Sequence, residues 1–400
     1  MKILRVMGCP SYNYGSQERY LVYLSQKCRT EGHSMYIIYE NIPANKNFVH
    51  DVEKAGAHFF HLEPKNWYQR RINFPPLNKL FKHWYNLFDI TSIRSIQSII
   101  KRYDIDIVHS YFSPSHYAVF SARLQAKKTV TTSGNPFIQP AKVMGKKTNF
   151  LFYLRSYLLN VFPTFFLDKQ ICISKLIFDE YSFLGVPEKK LEVITSGCDT
   201  EIYNPNILTK GDFRKEYKIK DDEFIIGFTG RLEGQKNIFL LLEIFRDVST
   251  HIPNSRLVIV GDGSLKRELI NLSKDFGIFE RTIFTGRKQK IKDIVIDFDV
   301  FVLPSFFEGM PSSLLEAMSL ERACIVSDIE IYHEVIEDSV NGHICSLDIK
   351  EDFVGKIIDM YNNSNQRSSI GKEARKTVVE RFNIKTRADK TLKLYESIMR

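Results

Sequence analysis

From residue 224 onward the sequence alternates short β-branched and aromatic runs with helical patterns, and this alternation constrains the fold more than any other feature. Phe224 to Gly230, Leu257 to Gly261, Thr282 to Gly286, Val300 to Ser305 and Ala323 to Ser327 are apolar at consecutive positions rather than at every second one. That pattern marks strands buried on both faces, and a helical stretch after each gives a parallel sheet covered on both sides. The predicted class is α/β, with one doubly wound domain in the second half. The first half repeats the theme with strands at Ile3 to Met7, Ser34 to Tyr39, Ile107 to His109, Thr129 to Thr132 and Gln170 to Ile173. A helix from Ser16 carries Leu21, Leu24 and Cys28 on one face and ends at Gly32. Two such units in tandem predict a cleft, with ligands at the carboxyl ends of the strands. Asn204, Pro205, Asn206 and Gly211 punctuate a polar run, which places the expected boundary near residue 205. The expected domains are 1–205 and 206–385. A last helix over 386–400, with Leu392, Tyr395 and Ile398, is free to pack on either domain, including back on the first.

A chain of 400 residues is long enough for two or three domains. Its 44% apolar and 26% charged residues exclude disordered, collagenous and coiled-coil classes. The net charge of +9 is unevenly placed: residues 1–200 hold 26 basic and 15 acidic groups, and residues 201–400 hold 30 and 32. No Asp or Glu occurs between Glu63 and Asp89 or between Asp106 and Asp168. Those windows contain Lys65, Arg70, Arg71, Lys79 and Lys82, then Arg123, Lys127, Lys128, Lys142, Lys146, Lys147 and Arg155. An acid-free surface suits nucleic acid, an anionic membrane or a phosphate-bearing substrate. The six cysteines have no C-x-x-C pair, so neither a zinc site nor a compact disulfide framework is expected, and a reducing cytoplasmic compartment fits. The opening apolar run is too short for a signal peptide. Phe150 to Leu167 is interrupted by Arg155 and Pro163 and falls short of the ~20 apolar residues that span a bilayer.

Three stretches carry chemistry. In Val300 to Leu320 a buried strand runs into the loop Glu308, Gly309, Met310 and Pro311, and a helix starts near Ser312. Free amides and the dipole at that helix start suit a phosphate or sugar hydroxyls. Glu308 before the helix and Glu316 one turn inside it could face a sugar and a ribose. The plainer alternative is a capping box of Ser313 and Glu316 with Glu308 an ordinary loop acid. In Gly230 to Asn237, Arg231 and Lys236 follow a strand, a guanidinium fork and an ammonium five residues apart that suit a diphosphate. Gly261-Asp262-Gly263 begins like a dinucleotide turn, but Arg267 stands where the third glycine would be, so a redox role is weak.

The combination Gly-Arg-Leu-x3-Lys-Asn, Val-Gly-Asp-Gly, Phe-x-Gly and Pro-Ser-x2-Glu-Gly-x-Pro, followed by Glu316-Ala317-Met318, resembles the retaining glycosyltransferases of family 4. The resemblance extends to Asp106-Ile107-Val108-His109, Ile173-Ser174 and Gly197-Cys198-Asp199. It implies the GT-B fold, two Rossmann-like domains facing across a cleft, and hexosyl transfer with retention from a nucleotide-diphosphate sugar, UDP rather than GDP. Arg231 and Lys236 would hold the diphosphate and stabilise its departing charge. Glu308, with Gly309, Met310, Pro311 and Ser312 around it, would orient the donor sugar, and Glu316 would hold the ribose. Gly286 and Arg287 would border the base. Gly15 and Ser16, in a loop matching the family's Gly-Gly-x-Glu, would lie beside the diphosphate; Ser16 replaces a glycine. The family commonly ends its strand 129–133 in His, where this chain has Ser133, which cannot accept a proton in its place. His109, and His116 after it, are the alternative imidazoles.

No cofactor or metal is expected. Asp104/Asp106 and Asp297/Asp299 have the Asp-x-Asp spacing of a metal bridge, but both precede buried strands as solvated turns. Cations and helix starts can neutralise the leaving diphosphate instead. The acid-free windows also hold Trp67, Tyr68, Phe74, Phe81, Trp84, Tyr85 and Phe88, and Phe150, Tyr153, Leu154, Tyr157, Leu158 and Val161. Basic and aromatic segments of this kind suit the anionic inner face of a cell membrane and a saccharide or lipid-linked acceptor, as in bacterial surface-polysaccharide assembly. An aromatic core stripe with a solvated basic rim is the alternative. A GT-B sugar-nucleotide epimerase would need carboxylates from both domains, and only the pair in the second half is evident. No nucleic-acid-binding module is recognisable, so nucleic acid is not an expected partner.

Overall fold

A computed structural model describes residues 1–7, 14–40, 45–62, 90–111, 116–136, 154 and 157–400. The chain folds as two units, Met1–Thr195 with Lys385–Arg400, and Ser196–Ile384. Much of both acid-free aromatic windows lies outside the described residues, including Trp67, Trp84, Phe150 and Tyr153.

The first unit is built on a seven-stranded parallel sheet. Its strands are β1 (Lys2–Met7), β2 (Ser34–Glu40), β3 (Ala57–Leu62), β4 (Ile107–Tyr111), β5 (Lys128–Ser133), β6 (Lys169–Cys172) and β7 (Leu191–Val193). They lie in the order β3-β2-β1-β4-β5-β6-β7. β1 pairs with β2 at Lys2↔Ser34 and with β4 at Ile3↔Ile107. The sheet turns back on itself at that pair, so the switch point of the unit lies between β1 and β4. Leu4, Val6, Ile38 and Val108 meet Ile96, Ile100, Ala118 and Ala122 from two helices in one buried cluster. The Ser16–Thr30 helix buries Tyr20, Leu21, Leu24 and Cys28.

The second unit carries a six-stranded parallel sheet of β8 (Phe224–Thr229), β9 (Ser255–Val260), β10 (Thr282–Gly286), β11 (Val300–Leu303), β12 (Ala323–Ser327) and β13 (His343–Cys345). Their order is β10-β9-β8-β11-β12-β13, which puts this unit's switch point between β8 and β11. β8, β11 and β12 are buried at every position. The Ile238–His251 helix covers the sheet with Ile238, Leu241, Leu242, Phe245 and Val248, the spacing of one helical face.

The boundary expected near 205 lies inside the second unit. Cys198 donates its N–H to Phe382 O at 2.8 Å and accepts from Ile384 N at 3.0 Å, so the chain is already tied to the end of that unit. A Cβ on Gly197 would meet the Ile384 backbone at 2.8 Å, so only glycine allows this approach. The Pro- and Gly-marked run 204–211 is a loop within the unit. The final helix begins at Ile384, and Lys385–Arg400 belongs to the first unit. Cys28, Cys172, Cys198, Cys324 and Cys345 are buried thiols. Burial pushes the Cys28 and Cys345 thiols up to about 12, which keeps them unreactive at neutral pH.

Candidate active site

In the second unit the loops after β8, β9, β10 and β11 gather at the carboxyl edge of the sheet. The β8 loop runs 230–237 and closes with a 3₁₀ turn, Gly234–Lys236, before Asn237 takes a left-handed conformation and opens the next helix. The β9 loop packs against it: Gly230 N donates to Val260 O at 3.0 Å and Leu232 N to Asp262 O at 3.0 Å. Gly261 has φ +150°, and a Cβ there would stand 1.8 Å from Gly230 O. The Val-Gly-Asp-Gly motif is thus a close backbone approach that aligns two loops, and Gly261 N donates on to Gly286 O of β10 at 3.0 Å. Glu233 locks the same junction by accepting from Ser264 N at 3.0 Å and Ser264 Oγ at 2.7 Å.

Lys236 and Glu308 meet at the switch point. Lys236 Nζ contacts Glu308 Oε1, and both side chains are buried. Ser305 Oγ donates to the same oxygen at 2.8 Å, and Gln235 Nε2 reaches Glu308 Oε2 at 3.4 Å. Gln235 also donates to Phe307 O at 2.8 Å, while Phe306 N donates back to Gln235 O at 2.9 Å. Ser327 Oγ holds Ser305 through its carbonyl at 2.6 Å. The carboxylate is therefore oriented by an ammonium, a hydroxyl and an amide from two adjacent loops. Tyr332 is fully buried nearby, and that burial, reinforced by the charge of Glu308, pushes its phenol well above the ordinary range.

The Ser312–Ser319 helix starts directly after this loop, with Pro311 as its N-cap and no side-chain cap, so the capping-box alternative for Ser313 and Glu316 does not form. Its first amides are left for water or a ligand. Gly309, Met310 and Pro311 are buried beneath it, and Glu316 is buried one turn in. Arg231 and Arg287 stand exposed on the β8 and β10 loops, with Gly286 half-buried beside them. The structure thus gathers Arg231, Lys236, Glu308 to Ser312 and Glu316 on adjacent loops, with Gly286 and Arg287 farther along the same edge. Gln235 and Ser305 went unrecognised in the sequence, although both fall within the motifs that define these loops.

The two Asp-x-Asp pairs lie at the opposite, amino ends of their strands. Asp299 accepts from Arg214 at 3.2 Å and Ile225 N at 2.8 Å, and Asp297 accepts from Gly211 N at 2.6 Å. Asp106 accepts from Lys2 N at 2.8 Å, and Asp104 pairs with Lys127 at 3.3 Å. These carboxylates brace the scaffold.

In the first unit, Gly15 is the N-cap of the Ser16–Thr30 helix, and Glu18 reaches back to Gly15 N at 2.9 Å. Ser133 is tied down by Tyr181 Oη at 2.7 Å and Gln170 Nε2 at 2.9 Å. His109, a candidate catalytic group in the sequence, is instead a core residue with no exposed surface. Arg5 Nη1 lies 2.5 Å from its Nδ1, which also meets Tyr395 Oη at 2.6 Å, and Nε2 faces Thr132 Oγ1 at 2.7 Å. Burial, with Arg5 and Arg387 beside it, holds the imidazole well below its ordinary value. It has neither access nor basicity for proton transfer to a substrate. For His116 the structure describes only a place at the start of the His116–Arg123 helix.

Residues 209–377 match the model of the glycosyl transferases group 1, and residues 17–202 match the model of Glycosyltransferase Family 4. The chain is 30% identical over 318 residues to the UDP-Gal:alpha-D-GlcNAc-diphosphoundecaprenol alpha-1,3-galactosyltransferase of Escherichia coli, covering 77% of this chain and 79% of that one. Among solved structures, the sucrose-phosphate synthase of Thermosynechococcus elongatus has the same fold at TM-score 0.78 and 17% identity, covering 100% and 99% of the two chains. The Anabaena protein Alr3699/HepE in complex with UDP-glucose does so at TM-score 0.76 and 16% identity, covering 99% and 100%. Two parallel-sheet units, the shared GT-B fold and the galactosyltransferase relative agree: the chain belongs to the group 1, family 4 glycosyltransferases.

Proposed function

We infer that the protein transfers a sugar, with retention, from a nucleotide-diphosphate sugar to a saccharide or lipid-linked acceptor in bacterial polysaccharide or glycan assembly, using UDP in preference to GDP and no metal. The observation that carries this reading is the Lys236–Glu308 pair at the β8/β11 switch point, with the exposed Arg231 on the Lys236 loop and the uncapped Ser312–Ser319 helix following the Glu308 loop. A diphosphate entering there draws Lys236 and Arg231 to its oxygens as charge develops on the leaving group. Glu308, freed from the ammonium, is left to hold hydroxyls of the donor sugar. The galactosyltransferase relative acts on a diphosphoundecaprenol-linked sugar, and the HepE structure holds UDP-glucose; both support the donor and acceptor classes. The metal-independent reading is supported by the cations at the site and by the bracing roles of both Asp-x-Asp pairs. Radiolabelled nucleotide sugars, screened without acceptor, test it. Slow release of sugar that survives EDTA is expected, whereas epimer formation or a strict metal requirement would count against it.

A peripheral place on the cytoplasmic face of the membrane fits the surface of the first unit. No helix among the described residues is long and apolar enough to cross a bilayer. Phe120, Leu124, Phe162 and Phe166 are all about half exposed and lie within the acid-free window. Phe162 and Phe166 meet edge to face at 5.3 Å, and Arg123 joins the two pairs by donating to Phe166 O at 2.6 Å. An apolar patch with cations at its rim suits an anionic bilayer. The protein is expected to float with anionic vesicles at low salt and to lose that binding as Phe120→Ser/Phe166→Ser; no binding by the native protein would refute the membrane reading.

A further inference from the structure

Two guanidinium groups are buried in the first unit without an acidic partner among the described residues. Arg5 is 1% exposed and Arg387 4% exposed. They lie against the same ring, with Cζ 5.6 Å and 4.0 Å from the Tyr20 centroid. The polar partners of Arg5 are His109 and Tyr395, and its Nε has none. Arg387 contacts Gln17 Oε1 at 3.5 Å and hydrogen-bonds Tyr111. Among the described residues no carboxylate comes within 4.0 Å of either group. Cations elsewhere in the molecule differ: Lys236 pairs with Glu308, Arg214 with Asp299, and Arg256 with Glu223.

A buried charge without a counterion destabilises a fold by several kcal/mol, so two of them near one ring call for a compensating group. Their position says where it enters. Gln17 is the second residue of the helix that follows β1, Tyr111 is the last residue of β4, and Gln17 Nε2 donates to Tyr111 Oη at 2.6 Å. Arg387 therefore sits under the carboxyl ends of the two strands that flank the switch point of this unit, where parallel sheets take their ligands. Arg5 lies deeper. A carboxylate would balance one of the two charges; a phosphate dianion balances both, and a guanidinium fork suits its oxygens.

We propose that Arg387, with Gln17 and Tyr111, binds a phosphate group of the acceptor, and that Arg5 supplies a second positive charge from behind. The acceptor assignment rests on the glycosyltransferase reading above; the phosphate site does not.

Thermal unfolding of the full chain in inorganic phosphate, against chloride of equal ionic strength, tests the site without requiring activity. Phosphate should raise the Tm of the native protein and of Arg231→Ala, which lacks a donor-side cation, by about 2 °C or more. Arg387→Gln and Gln17→Glu should show no such rise. Gln17→Glu should also melt above the native protein in chloride, because its carboxylate supplies the missing counterion, so the test does not depend on a variant that unfolds. A phosphate shift retained in Gln17→Glu, or lost in Arg231→Ala, would overturn the site. With a phosphate-bearing acceptor, Gln17→Glu should raise the acceptor KM at least about tenfold at unchanged donor KM, as the loss of a charge-assisted hydrogen bond implies. An unchanged acceptor KM would overturn the acceptor assignment, and absence of any transfer would refute the proposed activity while leaving the phosphate shift standing.

Discussion

The two units share a parallel sheet with a switch point between neighbouring strands, yet they treat positive charge there in opposite ways. In the second unit Lys236 is matched by Glu308, and Ser305 and Gln235 complete the carboxylate's partners. In the first unit Arg5 and Arg387 are surrounded by Tyr20, Tyr111, Tyr395, Gln17 and His109, all neutral. A paired site is stable when empty and can exchange its internal ion pair for a ligand's phosphates. An unpaired one is stressed until something anionic arrives. The same topology thus carries a balanced ion pair in one unit and two cations without a carboxylate partner among the described residues in the other.

The comparison breaks most directly at Glu308. Glu308→Gln keeps the shape and an acceptor for Ser305 but leaves Lys236 unmatched, as Arg387 is. Transfer should fall about 100- to 1000-fold, the scale of one preorganised electrostatic group, and stability to urea should fall with it. Adding Lys236→Met should restore the stability and none of the activity. If the single variant keeps full activity, the ion pair is only scaffold.

A pH titration sharpens the other side. The His109 imidazole lies well below its ordinary value near 6.5 in the folded state, because it is buried beside Arg5 and Arg387. The unfolded chain therefore takes up the proton first. The contribution is complete above pH 6.5 and erodes as the pH falls below it. His109→Gln should flatten that part of the stability profile, and an unchanged slope would mean that the core tolerates a third positive charge.

The smallest expected effect is at Gln235. It bonds the Phe307 carbonyl and reaches the Glu308 carboxylate without being placed on the substrate. Gln235→Leu should lower kcat about tenfold, through misplacement of Glu308, with little change in donor KM. A rise in KM alone would make Gln235 a ligand contact.

The central strands were legible because burial on both faces leaves consecutive apolar residues: β10 and β12 have the predicted limits, and β8, β9 and β11 differ by a residue or two at their ends. The strands that escaped notice are edges or nearly so. β7 and β13 have three residues each, and β3, Ala-His-Phe-Phe-His-Leu, breaks the apolar run with two histidines. The Lys236 and Glu308 loops were legible because their motifs flank strands; Gln235 was not, because its role depends on a carbonyl 72 positions away. His109 was misjudged for the same reason, since Tyr395, which fixes it, is 286 positions distant. The proline and glycine run at 204–211 marked a real loop but not the domain boundary, because the crossing at Thr195/Ser196 depends on backbone packing between Gly197 and Ile384.

Calorimetric titration of UDP into the native protein and Arg231→Ala, each with EDTA, tests the donor site most directly. The native protein should bind UDP with the chelator present, and Arg231→Ala should bind at least about tenfold more weakly, as loss of a charge-assisted phosphate contact requires. Equal affinity in the two proteins, or binding that vanishes with EDTA, would contradict a diphosphate held by the cations of the β8 loop.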